Sequence, residues 1–169
     1  MNSDRLSRIT VSGFLIFIAV SSGCDCGNNP AWEPTSYTID IPAFFPPMDI
    51  PADNAMTEEG IKLGRLLFWE KSLSLDHSIS CGSCHAPTSN FSDPNQFSSG
   101  VNGTLGSRNA SVIINLGWSS SFFWDGRAIT LKDQAFSPVV NPIEMHDTWT
   151  NVENKLNANE EYLQLFKEA

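Results

Sequence analysis

The chain has 169 residues, of which 41% are hydrophobic, and a formal net charge of −9 at pH 7. This length and hydrophobic content suit one globular domain with its own core and leave too few residues for two large domains. The negative charge argues against nucleic acid and against anionic membrane surfaces as partners.

The first 23 residues have the layout of a secretory signal. Two arginines precede an apolar run at residues 11–20, and small residues then lead into Cys24. The run is too short to span a bilayer comfortably, and this ending is typical of a lipoprotein signal in which the cysteine is acylated. We predict a lipoprotein-type signal over 1–23, a periplasmic protein, and membrane attachment by a lipid anchor only. Simple secretion and an uncleaved anchor are the alternatives.

Residues 24–53 are predicted to form a proline-rich tether. Prolines recur from Pro30 to Pro51 and exclude regular helix or a central strand, so the segment should lie extended along the domain. Cys26 is interpreted as a passenger residue of this linker, although a lone thiol or an extra acylation point remains open. The globular domain is predicted to span 54–169.

The first helix is predicted at about residues 58–69. Thr57 can cap it, and the two acids that follow lie where the helix dipole favours negative charge. Ile61, Gly64 and Leu67 recur on one face, as in a core-facing helix. Gly64 is interpreted as a position of close packing against a neighbouring element.

Cys81-Gly82-Ser83-Cys84-His85 is the attachment pattern of c-type haem, in which both thiols form thioethers and the histidine binds the iron. A thioredoxin-like dithiol is one alternative, but it would need a βαβ pattern that is not evident. Half of a zinc site is another, but the remaining cysteines, Cys24 and Cys26, lie at the end of the export signal. Export itself favours haem, because bacteria attach haem c outside the cytoplasm. We predict one covalent haem c, held by these three side chains.

The remaining chain is predicted to be loops and short helices. Residues 86–106 are rich in Ser, Asn, Gly and Pro and should form a long loop folded against the haem. Residues 112–114 are interpreted as a short buried helix or an extended segment. Three further helices are expected, from Thr130 to near Pro138 and at about 149–157 and 160–168. The predicted fold class is mainly α: a cytochrome c-like helical domain with long irregular loops wrapped around one covalently bound haem.

Five local motifs occur in order along the chain: Leu63-Gly64-Arg65-Leu66-Leu67-Phe68, Ser80-Cys81-Gly82-Ser83-Cys84-His85, Arg108-Asn109-Ala110, Phe123-Trp124-Asp125-Gly126-Arg127-Ala128 and Asn141-Pro142-Ile143-Glu144-Met145. Together they resemble the N-terminal haem domain of the bacterial di-haem cytochrome c peroxidases and their relative MauG. The likeness covers about residues 44–169. In that family the N-terminal haem is where peroxide reacts, and a second cytochrome c domain takes in electrons and passes them across.

The resemblance implies roles for further residues. Glu144 and Gln134 match the distal-pocket glutamate and glutamine, and a carboxylate there can move a proton between the two peroxide oxygens. Pro138 matches a proline over the iron, and Trp124 the tryptophan between the haems. Asn109 matches an asparagine that contributes to an interdomain calcium site, so calcium is a further expected cofactor.

Taken alone, these residues have simpler interpretations. Glu144 would be an ordinary acid at a helix start, Trp124 a core residue and Asn109 a turn residue. Arg127 is expected to pair with Asp125 or with a haem propionate.

Two differences from the family pattern affect the expected function. Residues 98–108 contain no histidine, whereas peroxidases that need reductive activation carry one in this loop that caps the iron. We therefore expect no strong ligand opposite His85. The sequence also holds no second haem motif, so the chain is expected to be a fragment, a truncated gene or a half that meets a second haem domain in trans.

The expected function is a c-type haem oxidoreductase module that reduces hydrogen peroxide with electrons from a small redox protein, a cytochrome c or a cupredoxin. The module should be incomplete without a second haem domain. The alternative is a non-catalytic electron-transfer cytochrome c with a strong sixth ligand, and a haem-binding remnant without turnover is a third interpretation. Candidates for that ligand are Met48, Met56, His77, Met145 and His146.

Overall fold

The computed structural model describes residues 32–169, so the predicted signal and the first part of the predicted tether lie outside the described residues. The α-helices of this region are α1 (Glu58–Trp69), α2 (Cys81–Cys84), α3 (Leu131–Val140), α4 (Trp149–Asn157) and α5 (Glu160–Glu168). Four 3₁₀ turns lie between them, at Lys71–Leu73, Pro87–Ser89, Val101–Gly103 and Leu116–Trp118. Extended pairing within 32–169 is limited to isolated bridges. The predicted mainly α fold with long loops is confirmed.

Side-chain caps begin the longer helices. The side chains of Thr57, Thr130, Thr148 and Asn159 each accept hydrogen bonds from backbone N–H groups of the first helical turn. These bonds satisfy donors that a helix start otherwise leaves unpaired, which is why the sequence patterns located the starts well. The one shifted boundary is the end of α3, which passes Pro138 and continues to Val140.

Two clusters of buried side chains form the core. One contains Leu73, Val139, Met145 and Val152, and the other contains Leu63, Tyr162 and Leu165. Leu67 and Leu156 pack against both clusters, so the long helices share one apolar centre. The Tyr162 hydroxyl also donates a 2.7 Å hydrogen bond to Glu70 Oε2, which fixes α5 to the end of α1.

A buried ion pair fixes α4 to the segments beside it. Lys155 Nζ lies 2.7 Å from Asp147 Oδ2 and donates to the carbonyls of Ser72 and Ser74 at 3.0 and 2.8 Å. The Asp147 side chain is only 1% exposed, and its other oxygen accepts from the Asn151 side chain. Both charges are therefore fully partnered, as burial requires.

The described part of the predicted tether runs along the helical domain without regular helix or strand and turns at residues 43–45 and 52–54. The Trp32 indole donates to the Glu168 carbonyl at 3.1 Å, and the Trp118 indole donates to the Pro46 carbonyl at 2.9 Å. Phe44, in contrast, is fully exposed. Within residues 32–169 there is no helix of the length and apolar character needed to cross a membrane.

Candidate haem site

The attachment turn is α2, and a tryptophan covers it. The Ser80 N–H donates to the Ser83 hydroxyl at 3.0 Å, which begins the turn. Gly82 is buried against the Trp69 ring, and a Cβ atom there would overlap the indole. A side chain at this position would therefore have to displace the Trp69 indole from the attachment turn.

Cys81 and Cys84 are free thiols on one helical turn, both half-buried. Burial raises the pKa of each thiol. The Ser98 hydroxyl lies close enough to Cys84 to oppose that rise, but its buried oxygen completes no hydrogen bond with any described residue. Within residues 32–169 no cluster of three or more His, Cys, Asp or Glu side chains could hold a metal ion, so the described chain offers no complete zinc site.

His85 is oriented by a single backbone contact. Its Nδ1 lies 3.2 Å from the Phe91 carbonyl oxygen. A carbonyl oxygen can only accept, so Nδ1 carries the proton and Nε2 keeps its lone pair for a metal. Phe91 holds this position with a φ of 56°, in a loop that the Ala86–Ser92 bridge closes.

Glu144 lies in the turn after α3, where Asn141 holds it. The Glu144 N–H donates to the Asn141 carbonyl at 3.0 Å, and Asn141 Nδ2 donates to Glu144 Oε1 at 2.6 Å. Burial raises the pKa of the Glu144 carboxyl, while the Asn141 donor and the charge of Arg127 oppose the rise. The fold therefore brings Glu144 within electrostatic reach of Arg127 and His85.

Gln134 and Pro138 are four residues apart on α3 and so share one face of the helix. Both are half-buried. Pro138 has no N–H to donate to the Gln134 carbonyl, and its own carbonyl accepts from Asn141 and Met145 at 3.3 and 3.1 Å. These bonds connect the end of α3 to the turn that carries Glu144.

Trp124 and Asn109 form a second group. Trp124 is 64% exposed, on a turn closed by the Phe122–Ala128 bridge, and its indole donates to the Asn109 carbonyl at 2.8 Å. The simpler expectation of a core tryptophan is therefore wrong.

The Asn109 amide is already engaged within its own loop. Its Oδ1 accepts from the Ser92 hydroxyl, and its Nδ2 donates to the carbonyls of Asp93 and Asn95. Any calcium ion at this position would therefore need most of its oxygen ligands from elsewhere.

Arg127 contacts a carboxylate and an aromatic ring of its own turn. Its Nη1 contacts Asp125 Oδ1 at 2.9 Å, and its guanidinium lies 3.4 Å from the centre of the Phe123 ring. The expected pairing with Asp125 is present. Because half of the Arg127 side chain is exposed, this pair contributes little to stability, and its charge remains available to nearby anions.

The candidate sixth ligands are placed in different surroundings. Met145 is 3% exposed and belongs to the core cluster around Val139. Met48 packs against Gly117, where a Cβ atom would overlap its side chain. His77 and His146 are exposed at left-handed backbone positions, with φ of 60° and 54°. The core position of Met145 removes it from the list of iron ligands.

The residues present fit a covalently bound haem. The two thiols and the oriented imidazole supply the attachment chemistry, and large apolar side chains beyond the motif remain exposed in the polypeptide. They include Leu105, Val112, Ile114, Ile129, Leu131 and Ile143, which are 39–70% exposed. A large apolar cofactor accounts for such exposure in a domain of this size.

Paired thioether-forming cysteines followed at once by an oriented histidine define a c-type haem protein, here with a cytochrome c-like helical fold. A sequence profile described as "Di-haem cytochrome c peroxidase" matches residues 58–169. The chain belongs to this family, whose cofactor is haem c.

Individual relatives agree with this assignment. The chain is 36% identical over 163 residues to cytochrome-c peroxidase IdrP1 of Pseudomonas sp. strain SCT, which covers 96% of this chain and 40% of that protein. It is 31% identical to the methylamine utilization protein MauG of Methylophilus methylotrophus, covering 80% and 42%. A crystal structure of a MauG-like protein associated with microbial copper homeostasis superposes with a TM-score of 0.72, at 34% identity, covering 78% and 39%. The chain thus spans about two fifths of the length of these relatives.

Sequence reasoning missed several residues that shape the site. Asn141 stood out only as part of a motif, although an Asn-Pro pair signals a turn and the glutamate follows three residues later. Nothing local to Phe91, Ser98 or Gly100 indicates contacts with His85, Cys84 and the Glu144 turn. Those contacts depend on loop closure and appear only in three dimensions.

Proposed function

We propose that this chain is the peroxide-reacting haem module of a cytochrome c peroxidase. The reaction consumes hydrogen peroxide, two electrons and two protons and yields two water molecules. The observation that carries the proposal is the half-buried Glu144 carboxylate, held at Oε1 by Asn141 and within electrostatic reach of His85. When bound, the haem supplies an iron that binds peroxide and transfers electrons to it.

The chain's own residues supply the proton transfer. Asn141 occupies Glu144 Oε1, while Oε2 accepts no hydrogen bond from any residue of 32–169. With a haem held by Cys81, Cys84 and His85, Glu144 Oε2 would take the proton from one peroxide oxygen and return it to the other, which would depart as water. Arg127 favours the charged form of Glu144 at the start of this exchange, and Gln134 orients the peroxide.

Glu144→Gln tests the acid–base role directly. It keeps the shape and the contact with Asn141 but removes the proton acceptor, so the first reaction with peroxide should slow by roughly 10²-fold or more. The measurement is stopped-flow absorbance of the ferric protein mixed with peroxide. Glu153→Gln, an exposed position on α4, is the matched control and should react as fast as the parent. Equal rates for Glu144→Gln and the parent would refute the assignment.

We also propose that sustained turnover needs a second haem domain and a small electron donor, a cytochrome c or a cupredoxin. We propose that electrons enter this chain at the surface around Trp124. Two observations support this: Trp124 is exposed, and an open depression beside it is lined by Gln96, Phe97 and Arg108. The chain's charge of −9 favours a basic donor. Donor association that does not weaken with added salt would contradict the electrostatic part.

The location of the protein is proposed to be the periplasm, with a lipid anchor at Cys24. The supporting observations are the signal layout before Cys24 and the need to form thioethers outside the cytoplasm. Labelling with a fatty acid, lost in Cys24→Ala, is expected. An unlabelled parent that is nevertheless exported would indicate simple secretion.

Calcium at Asn109 is proposed only as a site shared with other oxygen ligands. Asn109 Oδ1 has a second lone pair beyond the one that accepts from Ser92. Titration of the full chain with calcium, monitored by calorimetry, should show a heat of binding that is lost in Asn109→Ala. Unchanged heat in that variant would rule out this residue.

A further inference from the structure

The loop between the haem motif and α3 contacts both Cys84 and Glu144. Within it, the Ser99–Leu105 bridge closes the segment around the 3₁₀ turn Val101–Gly103. The Val101 N–H donates to the Glu144 carbonyl at 2.8 Å, and Val101 is 2% exposed. At its other end, Ser98 lies beside the Cys84 sulfur. One short loop therefore joins the covalent attachment point to the backbone of Glu144.

Gly100 makes the closest approach in this contact. A Cβ atom there would overlap the Ile143 carbonyl group and lie 2.7 Å from the Glu144 carbonyl oxygen. These are backbone atoms, which cannot rotate away as a flexible side chain could. Gly100 itself has φ −89° and ψ −166°, extended values open to any residue, so only its neighbours require a glycine.

The turn that carries Glu144 has little freedom to absorb a displacement. The Met145 N–H donates to the Pro138 carbonyl at 3.1 Å, and the Met145 carbonyl accepts from Leu75 at 2.9 Å. The Met145 side chain is in the core. A push on the Ile143–Glu144 peptide must therefore move Glu144 rather than the residues after it.

We infer that Gly100 is a positioning residue: its missing side chain lets the loop seat against the Ile143–Glu144 peptide and thereby sets the position of the Glu144 carboxylate. This inference depends on the proposed acid–base role of Glu144. Displacing a catalytic group by about 1 Å can cost about 10²-fold in rate, so a small shift is sufficient for a measurable effect.

Gly100→Ala tests the inference, with Gly106→Ala as its matched control. Gly106 is in the same loop, but a Cβ atom there meets its nearest neighbours at 3.6 and 3.7 Å, which is ordinary contact. Two small ligands of the haem iron distinguish a displaced Glu144 carboxylate from blocked access to the iron. Hydrogen cyanide must lose a proton to bind ferric iron, whereas carbon monoxide binds ferrous iron with no proton transfer.

In Gly100→Ala we expect cyanide association and the first peroxide reaction to slow by about tenfold or more, with carbon monoxide association within about twofold of the parent. Gly106→Ala should match the parent in all three. Equal cyanide rates in Gly100→Ala and the parent would overturn the inference. So would an equal slowing of carbon monoxide, because that would indicate blocked access.

Two further variants keep the outcome decisive. Val101→Ala keeps the glycine but loosens the buried anchor of the loop, so it should show the same split between cyanide and carbon monoxide if Gly100→Ala does not fold. Absence of that split in Val101→Ala would then reject the inference.

Glu144→Gln distinguishes a failure of the proposed acid–base function from a failure of the positioning role of Gly100. If it fails to slow peroxide, the proposed function is wrong; if it slows peroxide while Gly100→Ala does not, only the positioning role is wrong.

Discussion

Asn141 holds Glu144 twice, with its carbonyl accepting from the Glu144 N–H at 3.0 Å and its side-chain amide donating to Glu144 Oε1 at 2.6 Å. The first bond fixes the turn, and the second fixes the carboxylate within it. The same amide also opposes the burial that raises the Glu144 pKa. Asn141 therefore influences both the position and the protonation of this carboxylate.

Asn141→Asp should move the pH dependence of the peroxide reaction to higher pH. The new side chain keeps the oxygen that accepts from Ile143 but loses the donor to Glu144 and adds a like charge, which raises the pKa of the pair. Glu144 acts as a base only when ionised, so the rate rises with pH through this pKa, and the rising limb moves up. At a pH below the limb, the smaller ionised fraction should slow the reaction by about tenfold if the pKa rises by about one.

The measurement is the single-turnover rate across roughly pH 4 to 9, a range that includes the ordinary pKa values of carboxylates and histidine. Asn154→Asp adds the same charge on the exposed side of α4 and is the control. A limb at the same pH in Asn141→Asp and the parent would show that Asn141 does not influence the base.

One haem per chain is the second prediction. Cys81 and Cys84 are free and share one turn with His85, so two thioethers to one macrocycle should form. Intact mass after periplasmic maturation should rise by one haem. An unmodified mass, under conditions in which other c-type cytochromes mature, would contradict the site.

The ferric iron should have no strong protein ligand opposite His85. Met145 is in the core, and His77 and His146 are exposed. We expect a high-spin ferric spectrum, unchanged in His77→Ala and His146→Ala. A low-spin bis-histidine spectrum that one of these substitutions abolishes would identify that histidine as the sixth ligand and contradict the prediction.

Peroxide reaction and sustained turnover should separate. In the proposed mechanism the first needs Glu144 and an open iron, whereas repeated turnover needs an electron route through Trp124 and a second haem domain. The parent chain should react once with peroxide and then stall or bleach until such a domain is added. Trp124→Phe should leave the first reaction unchanged and lower the restored turnover. Sustained turnover of the chain alone with a reduced small cytochrome would refute the electron-entry argument.

Asp147 should make the fold sensitive to acid. Burial alone would raise its pKa, but hydrogen bonds from Lys155, Asn151 and Thr148, with the Lys155 charge, outweigh this and lower it. A depressed folded-state pKa stabilises the protein above the unfolded value of about 3.9, and this stabilisation is lost as pH falls through the folded value. Lys155→Met removes the positive charge that pairs with this buried carboxylate and should cost roughly 3–5 kcal/mol at neutral pH.

The test is urea denaturation at neutral and acidic pH. Asp147→Asn should flatten the dependence of unfolding free energy on pH, whereas Asp40→Asn, an exposed tether position, should leave it unchanged. An unchanged acid dependence in Asp147→Asn would assign the effect to other carboxylates.

Local patterns predicted the helices well because their caps are local. Thr57, Thr148 and Asn159 each act within three residues, and the bounds of α1, α4 and α5 agree with the prediction. The haem motif is equally local. The end of α3 was predicted less well. Pro138 lacks one backbone N–H donor, but its carbonyl accepts hydrogen bonds from the turn that follows, and the helix continues to Val140.

Close packing of glycines could not be predicted in this way. Gly64 was expected to face a neighbour, yet a Cβ atom there meets nothing within 4 Å. Tight positions of another kind include Gly82 under Trp69 and Gly100 on the Glu144 turn. Both depend on residues distant in sequence or on loop closure, which helical periodicity does not encode.

The stacking of Trp69 on Gly82 gives the molecule a built-in optical reporter. An indole resting on the attachment turn lies close to any macrocycle bonded there, so its fluorescence should be transferred to the haem and lost. Chains with free thiols should therefore show Trp69 fluorescence, and chains with attached haem should not. Comparison with Trp69→Phe would isolate this signal from the other tryptophans, and ligation by the maturation machinery could be followed in real time.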